Sequence, residues 1–267
     1  MRPEEATFAI SDFSYGVTAP LDRCSACGLV QAQVTTDLVD EYRDLDDPAY
    51  LATWKARLRQ AESLVCFAQR FVSTGKHLDV GAAYGALVAV AARHGFETIG
   101  IDPSVPMTAE ARRRGLPVLT GALPDDRVAG PYDLVTAIDV LEHVADPMGL
   151  LRAIHEVTRP RGVVILATPD VDSLAARLLG RRWWHYRLAH VSYFSPSTLR
   201  RALRQSGFIV DTMVRPTWYL PFGYLTVRGL SYLPGLRRVK RLPAAFDRVT
   251  VPLNLRDSLL AVCRRAS

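Results

Sequence analysis

The chain has 267 residues, 49% of them hydrophobic and 22% charged, which excludes disordered, collagen-like and low-complexity scaffolds and suffices for one large α/β domain with appendages. No apolar run approaches the roughly 20 residues that span a bilayer, and four cysteines in this length do not make the framework of a disulfide-rich secreted protein. The net charge of +6 is unevenly placed: residues 181–267 hold 16 Arg and Lys against Asp211, Asp247 and Asp257, and the first 180 hold 17 against 24 acids. That split suggests an anionic partner near the C-terminal third, although 30 of the 33 basic residues are Arg and genome composition explains the excess equally well.

Residues 1–47 read as an irregular extension, with Glu4 and Glu5 where a signal peptide would need a basic and then an apolar segment, so a cytoplasmic location is expected. Cys24 and Cys27, followed by Gly28, have the spacing of half a zinc knuckle. A structural zinc needs four ligands, and the first 76 residues add only Cys66 and no His, so a plain turn is expected there. From residue 48 onward a domain begins. Leu51, Trp54, Leu58, Ala61, Leu64, Val65 and Ala68 predict a helix over 48–72. Strands are predicted at 77–81, 97–102, 116–121, 132–139 and 162–169, with helices after the first, second and fourth. This alternation implies a doubly wound α/β fold whose parallel sheet is covered on both faces. Residues 170–194 are too long for a simple connection and read as a lid. Ser195 and Pro196 open a further helix, which leads to a strand at 208–214; the aromatic, Pro- and Arg-rich stretch 215–249 reads as an insertion before a last strand at 258–265.

In an open parallel sheet, ligands sit outside the carboxyl ends of the strands. The sequence LDVGAAYG (78–85) places Gly81 and Gly85 around the turn from the first strand into its helix, where absent side chains let a cofactor approach the backbone. Asp102 ends the second strand 21 residues after Gly81, where a carboxylate can accept from both hydroxyls of a ribose. A dinucleotide would need the three glycines of GxGxxG, but Ala83 interrupts the turn and no third glycine arrives in register. A nucleoside cofactor without phosphate fits better.

With these motifs the chain resembles the class I S-adenosylmethionine-dependent methyltransferases, in the branch of bacterial small-molecule and sugar enzymes related to ubiquinone-biosynthesis O-methyltransferases. The resemblance runs from about Gly75 to Val214. It is carried by LDVGAAYG, with Ala82 and Ala83 where many members have Cys-Gly or Gly-Thr, by GIDPS (100–104), TGALPD (120–125) and YDLVTAIDVLEHVADP (132–147), by RPRGVVILATPD (159–170), with Arg161 in place of a glycine, and by HVSYFSPSTLRRALRQSGF (190–208). It implies a seven-stranded, mostly parallel Rossmann-like sheet and S-adenosylmethionine as cofactor. Asp79, Gly81 and Gly85 would lie at its methionyl side, Asp102 and Pro103 at ribose, Gly121, Ala122 and Leu123 at adenine, and Asp139 at the amino group.

Methyl transfer is an in-line displacement in which the protein aligns the reactants and excludes water. A hydroxyl acceptor gains from a base, for which His143, just past the fourth strand, is the first candidate and His190 the second; a structural turn histidine is the alternative reading of His143. Glu142 could orient that imidazole or hold a divalent ion, but a solvated carboxylate is expected and no metal is assigned. Trp183, Trp184, His185, Tyr186 and Tyr193 are expected to wall an acceptor pocket, the alternative being that they anchor the insertion. The stretch 217–246 interleaves aromatics with bases, a pattern suited to an anionic membrane surface or a lipid-linked acceptor, to RNA, or to ordinary packing on the sheet. The expected activity is methyl transfer to a hydroxyl of a small-molecule acceptor, whether a natural product, a quinone-like compound or a glycan. C- or N-methylation, including of RNA, and a non-catalytic cofactor-binding subunit are the alternatives; nucleic acid is not expected as a partner because no RNA-binding module is recognisable.

Overall fold

A computed structural model describes residues 8, 15–33, 38–232 and 244–266. The chain opens on a hairpin of β1 (Leu21–Arg23) and β2 (Val30–Ala32), then α1 (Leu38–Arg43), α2 (Pro48–Ala52) and α3 (Trp54–Ala68). An alternating core follows: β3 (Gly75–Val80), α4 (Ala86–Arg93), β4 (Phe96–Asp102), α5 (Val105–Arg113), β5 (Val118–Thr120), β6 (Tyr132–Ile138), α6 (Pro147–Val157) and β7 (Thr158–Pro169). The last third holds α7 (Leu174–Leu179), β8 (Ser192–Tyr193), α8 (Pro196–Gln205), β9 (Phe208–Val214), β10 (Trp218–Pro221), α9 (Phe222–Leu230), β11 (Thr250–Leu253) and β12 (Ser258–Arg265).

Seven strands form the central sheet in the order β5-β4-β3-β6-β7-β12-β9, and β12 runs antiparallel between β7 and β9 in an otherwise parallel sheet. Because both faces are covered, alternate residues of each strand enter different cores. Leu78, Val80, Val135, Ala137, Val164 and Leu166 pack with Leu151 and Ile154 of α6 and Leu199 and Leu203 of α8. Their neighbours Leu134, Val163, Ile165 and Ala167 face the other way, onto Ala61 and Leu64 of α3 and Leu87, Val90 and Ala91 of α4. His77 interrupts the apolar run of β3, and its ring reaches the hydroxyls of Thr98 at 2.8 Å and Thr136 at 2.9 Å on the two flanking strands. Burial pushes it down to about 3, so the ring is neutral.

Helix starts follow the local chemistry. Ser104, Asp146 and Ser195 accept from the backbone N–H groups of Met107, Gly149 and Thr198, and each of these helices has a proline in its first turn. Arg161 is held at φ 62°, in the left-handed region.

Two parts differ from the sequence reading. Residues 1–47 are not simply irregular: β1 and β2 close around the cysteine turn, with Gly28 N–H donating to Cys24 O at 2.8 Å, and β2 pairs with β8. A three-stranded sheet therefore ties the N-terminal segment to the insertion after β7; strands of two or three residues carry no readable alternation. The helix expected over 48–72 breaks at Thr53 into α2 and α3. The stretch 215–249 supplies β10 and α9, and residues 233–243 of it lie outside the described residues. Among the described residues, no helix is long and apolar enough to cross a membrane.

Candidate active site

A cavity of 1680 Å³ opens over the carboxyl ends of β3, β4 and β6. Gly81, Asp102, Gly121, Asp139 and His143 line it from the sheet, Tyr42, Tyr50 and Arg57 from α1 to α3, and Trp184, His185, Arg187, Tyr224 and Arg228 from the two insertions. The N-terminal segment is thus part of the site. It is fastened there by Ser104 Oγ donating to Leu45 O at 2.6 Å and Tyr84 Oη donating to Asp46 at 2.6 Å.

Asp102 organises the turn that follows β3. Its Oδ2 accepts from the N–H of Ala83 at 2.8 Å and its Oδ1 from that of Ser104 at 2.9 Å, which leaves further acceptor capacity on both oxygens. Ala83 sits at φ 46° and Gly81 at φ 76°, in the left-handed region; a Cβ on Gly81 would strike Val140. Burial raises the Asp102 carboxyl despite these two donors. Asp79, bonded by Thr136 Oγ1 at 2.7 Å, and Asp139, at φ 54°, are each pushed up to about 7, also by burial. For Asp139 the nearby Arg57 offsets part of that penalty. Two buried carboxyls, Asp79 and Asp102, and a third, Asp139, that opens onto the cavity lack enough donors and positive charge to satisfy their ionised forms. A ligand that brings a vicinal diol and an ammonium group supplies both, so the residues present fit S-adenosylmethionine. Pro103, Ala122 and Leu123 line the cavity as well, and Gly121 is held by its N–H donating to Asp102 O at 2.9 Å. Gly85 corrects the sequence reading. It does not line the cavity but caps α4 at φ 79°, against Leu116 and Val118, so its missing side chain serves helix-to-sheet packing.

Beside the carboxyls lies a histidine cluster. The 3-10 turn Leu141–His143 is covered by the insertion, with Val191 N–H donating to Glu142 O at 2.7 Å. His143 Nδ1 lies 2.9 Å from Ala189 O and 2.6 Å from Tyr42 Oη. The tautomer that avoids two acceptors facing each other carries the proton on Nδ1 and leaves Nε2 as a proton acceptor. Burial first and the Arg187 charge second push His143 down to about 3. His190 packs edge-on to it, ring centroids 4.7 Å apart, and stacks on His185 at 5.6 Å. Burial, His143 and Arg187 together hold His190 well below 6.5. His185 Nε2 in turn lies 3.3 Å from Asp257 Oδ2.

Glu142 is the second correction. Expected in solvent, it is 1% exposed, accepts from Thr168 Oγ1 at 3.0 Å and is held well above the usual carboxylate range by burial and by Asp139. Glu142, His143 and His190 each present one ligand atom within 4.8 Å of the others, as do Glu62, Cys66 and His94 on the surface, so both groups have the donor types a divalent ion uses. Among the described residues no third ligand joins Cys24 and Cys27.

The aromatic group of the insertion divides. Trp183, Tyr186 and Tyr193 pack with Val30 and Ala176 in a separate small core and anchor the insertion, whereas His185 lines the cavity and Trp184 does both, lining the cavity and packing on that core. Composition alone does not say which side chains of an irregular segment reach a cavity and which pack beneath it. Tyr42, Arg57, Arg187, Tyr224, Arg228 and Asp257 were not anticipated. Only Glu142, adjacent to a candidate base, carried a usable signal.

Comparison with known proteins agrees with this geometry. The family described as Methyltransferase domain matches residues 50–212. A ubiquinone biosynthesis O-methyltransferase from Methylococcus capsulatus is 33% identical over 183 residues, covering 61% of this chain and 76% of that protein. An S-adenosylmethionine-dependent methyltransferase structure from Mesorhizobium loti superposes with a TM-score of 0.52 at 21% identity, covering 78% of this chain and all of that one. Magnesium protoporphyrin IX methyltransferase from Synechocystis, solved with bound SAH, gives 0.52 at 15% identity over 83% of this chain and 89% of its own. These structural likenesses speak to the fold, and the sequence match speaks to descent. With a strand-ending carboxylate set over a left-handed turn in a sheet of this order, and with this family match, the chain belongs to the class I S-adenosylmethionine-dependent methyltransferases.

Proposed function

We propose that the protein methylates a hydroxyl oxygen of a small-molecule acceptor, with His143 as the base. Bound S-adenosylmethionine supplies an electrophilic methyl group on a sulfonium. Asp102 would hold the ribose diol and Asp139 the ammonium, and the apolar cover from α1 to α3 excludes water. The acceptor's O–H bond breaks as its oxygen takes the methyl, and the proton passes to Nε2 of His143. An imidazole at about 3 is a weak base by itself. However, the Arg187 charge that disfavours the imidazolium also favours the acceptor's oxyanion, so the two effects of that guanidinium on proton transfer oppose each other. The observation that carries the reading is the position of the His143 ring on the cavity wall, its Nδ1 set against Tyr42 Oη and Ala189 O, which favours Nε2 as the proton acceptor. Similarity to a protein named as an O-methyltransferase supports an oxygen acceptor. His143→Ala should cut kcat by about 100- to 10,000-fold with SAH affinity retained; turnover within a few-fold of wild type would remove His143 as the base.

A second reading concerns where the acceptor is met. Leu174 and Leu178, four residues apart on α7, are 71% and 76% exposed, and Arg177, Arg181 and Arg182 lie beside them. An apolar ridge flanked by bases supports contact with an anionic membrane surface or a lipid-linked acceptor. Sedimentation with phosphatidylglycerol vesicles should exceed that with phosphatidylcholine vesicles and should be lost in L174E/L178E; equal behaviour of the two proteins would end this reading.

A further inference from the structure

Beside the amino end of β4, three side chains with metal-binding atoms meet where α3 packs on α4, and none of the three lines the cavity. Glu62 and Cys66 stand four residues apart on α3 and so share one face of that helix. His94 ends α4, two residues before β4. The two helices are fixed against each other by Ala61, Leu64 and Val65 on one and Leu87, Val90 and Ala91 on the other. Nε2 of His94 lies 2.6 Å from Oε1 of Glu62, Sγ of Cys66 lies 3.9 Å from the same oxygen, and all three atoms are within 4.8 Å of one another.

The imidazole is oriented by Gln69. The amide nitrogen of Gln69 donates to Ser73 O at 3.2 Å and to His94 O at 3.5 Å, which turns its Oε1 toward His94 Nδ1 at 3.0 Å. Nδ1 therefore carries a proton, and in the neutral ring the lone pair of Nε2 points at a carboxylate oxygen. Two acceptors at 2.6 Å need a positive centre between them, either a proton or a metal ion. Around a tetrahedral zinc ion with bonds of about 2.0–2.3 Å, the N···O and S···O separations are about 3.3 and 3.5 Å. Small rotations of the side chains reach both values, and the exposed Cys66 leaves room for water as a fourth ligand. Arg93 Nη2 lies 3.4 Å from the other oxygen of Glu62, Oε2, so it opposes the ion with one charge but leaves Oε1 to it.

We propose that Glu62 Oε1, Cys66 Sγ and His94 Nε2 bind a zinc ion and thereby staple α3 to α4, with Gln69 fixing the ring of the histidine ligand. Thiolate and imidazole together select zinc over magnesium or calcium. On binding, the thiol and any proton held between Nε2 and Oε1 pass to solvent.

The test uses C24S/C27S with a phosphine reductant, which removes the other accessible thiols and leaves only Cys263, buried in the sheet. Cobalt(II) should give this protein a thiolate-to-metal charge-transfer band, and one equivalent of zinc should abolish it. The group Glu142, His143 and His190 contains no thiol, so an ion there does not produce the band. Competition against a chromophoric chelator should give a zinc Kd of about 10 μM or tighter, unaffected by millimolar magnesium. Cys66→Ser should remove the band and His94→Gln should weaken zinc binding at least about tenfold, with SAH affinity unchanged in both. Absence of the band, a weaker zinc Kd, a band that survives Cys66→Ser or an affinity unchanged by His94→Gln would overturn the proposal and leave His94 and Glu62 as an ion pair closed by a proton.

Discussion

Asp102→Asn separates the two tasks proposed for Asp102, bracing its turn and holding the cofactor ribose. In the native protein each carboxylate oxygen accepts one backbone N–H, from Ala83 at 2.8 Å and from Ser104 at 2.9 Å. Asparagine has nearly the same shape but replaces one oxygen by an NH2 group, so one of these N–H donors must face another donor. One backbone bond is lost at a buried site, a cost of about 1–3 kcal/mol, or a melting temperature lower by roughly 2–10 °C in a domain of this size. The same change removes an ionised acceptor from the ribose. One charge-assisted hydrogen bond is worth about 1.5–3 kcal/mol, which corresponds to roughly a 10- to 150-fold weaker Kd. Calorimetric titration with SAH reads the second effect and thermal unfolding without ligand reads the first. The upward shift in melting temperature that SAH produces should shrink in parallel with the affinity. An Asp102→Asn protein that melts lower but binds SAH within twofold of wild type would refute the ribose assignment and leave Asp102 as a loop brace only.

Other perturbations address separate parts of the structure. Asp139 sits at about 7 in the free protein, against 3.8 ordinarily, and a bound ammonium favours its ionised form. SAH should therefore bind more tightly as pH rises through about 6 to 8, with proton release detectable in buffers of different ionisation enthalpy; affinity independent of pH over that range would contradict the assignment. Without ligand, the raised values of Asp79 and Asp139 add stability below their ordinary pKa that is lost as pH rises through about 7, which urea titrations of the apo protein against D79N and D139N would show. Trp183→Ala, at a side chain with 0% exposure, should cost about 3–5 kcal/mol, whereas Trp184→Ala, at a half-buried side chain, should lower the melting temperature less and raise the acceptor KM. Arg161→Gly relieves a side chain held at φ 62° and should add about 1 kcal/mol of stability, seen as a rise of roughly 2–4 °C in melting temperature; a lower melting temperature would refute it.

The sheet, its helices and the cofactor loop were legible in the sequence because their signals are local. Runs such as Val163–Ala167 could only be strands covered on both sides, proline after a capping residue marks where α6 and α8 begin, and the interval between Gly81 and Asp102 is the length of one strand–helix–strand unit. Every strand of the central sheet lies where alternation and turn residues put it.

The acceptor side was not legible in the same way. Tyr42 and His143 are 101 residues apart and meet because the N-terminal segment is laid over the cavity, where Leu45 and Asp46 hold it to Ser104 and Tyr84. Trp183 and Trp184 are adjacent in sequence and identical in chemistry, yet only Trp184 reaches the cavity. Glu142 reads as a surface acid until the insertion is laid across it. Residue order therefore determined the sheet and the turn braced by Asp102, whose contacts close within a single supersecondary unit. The placement of the arginines, the neutral histidines and the buried acids around the acceptor was decided by how the insertions dock, since burial and long-range charge exist only once those distant segments pack together.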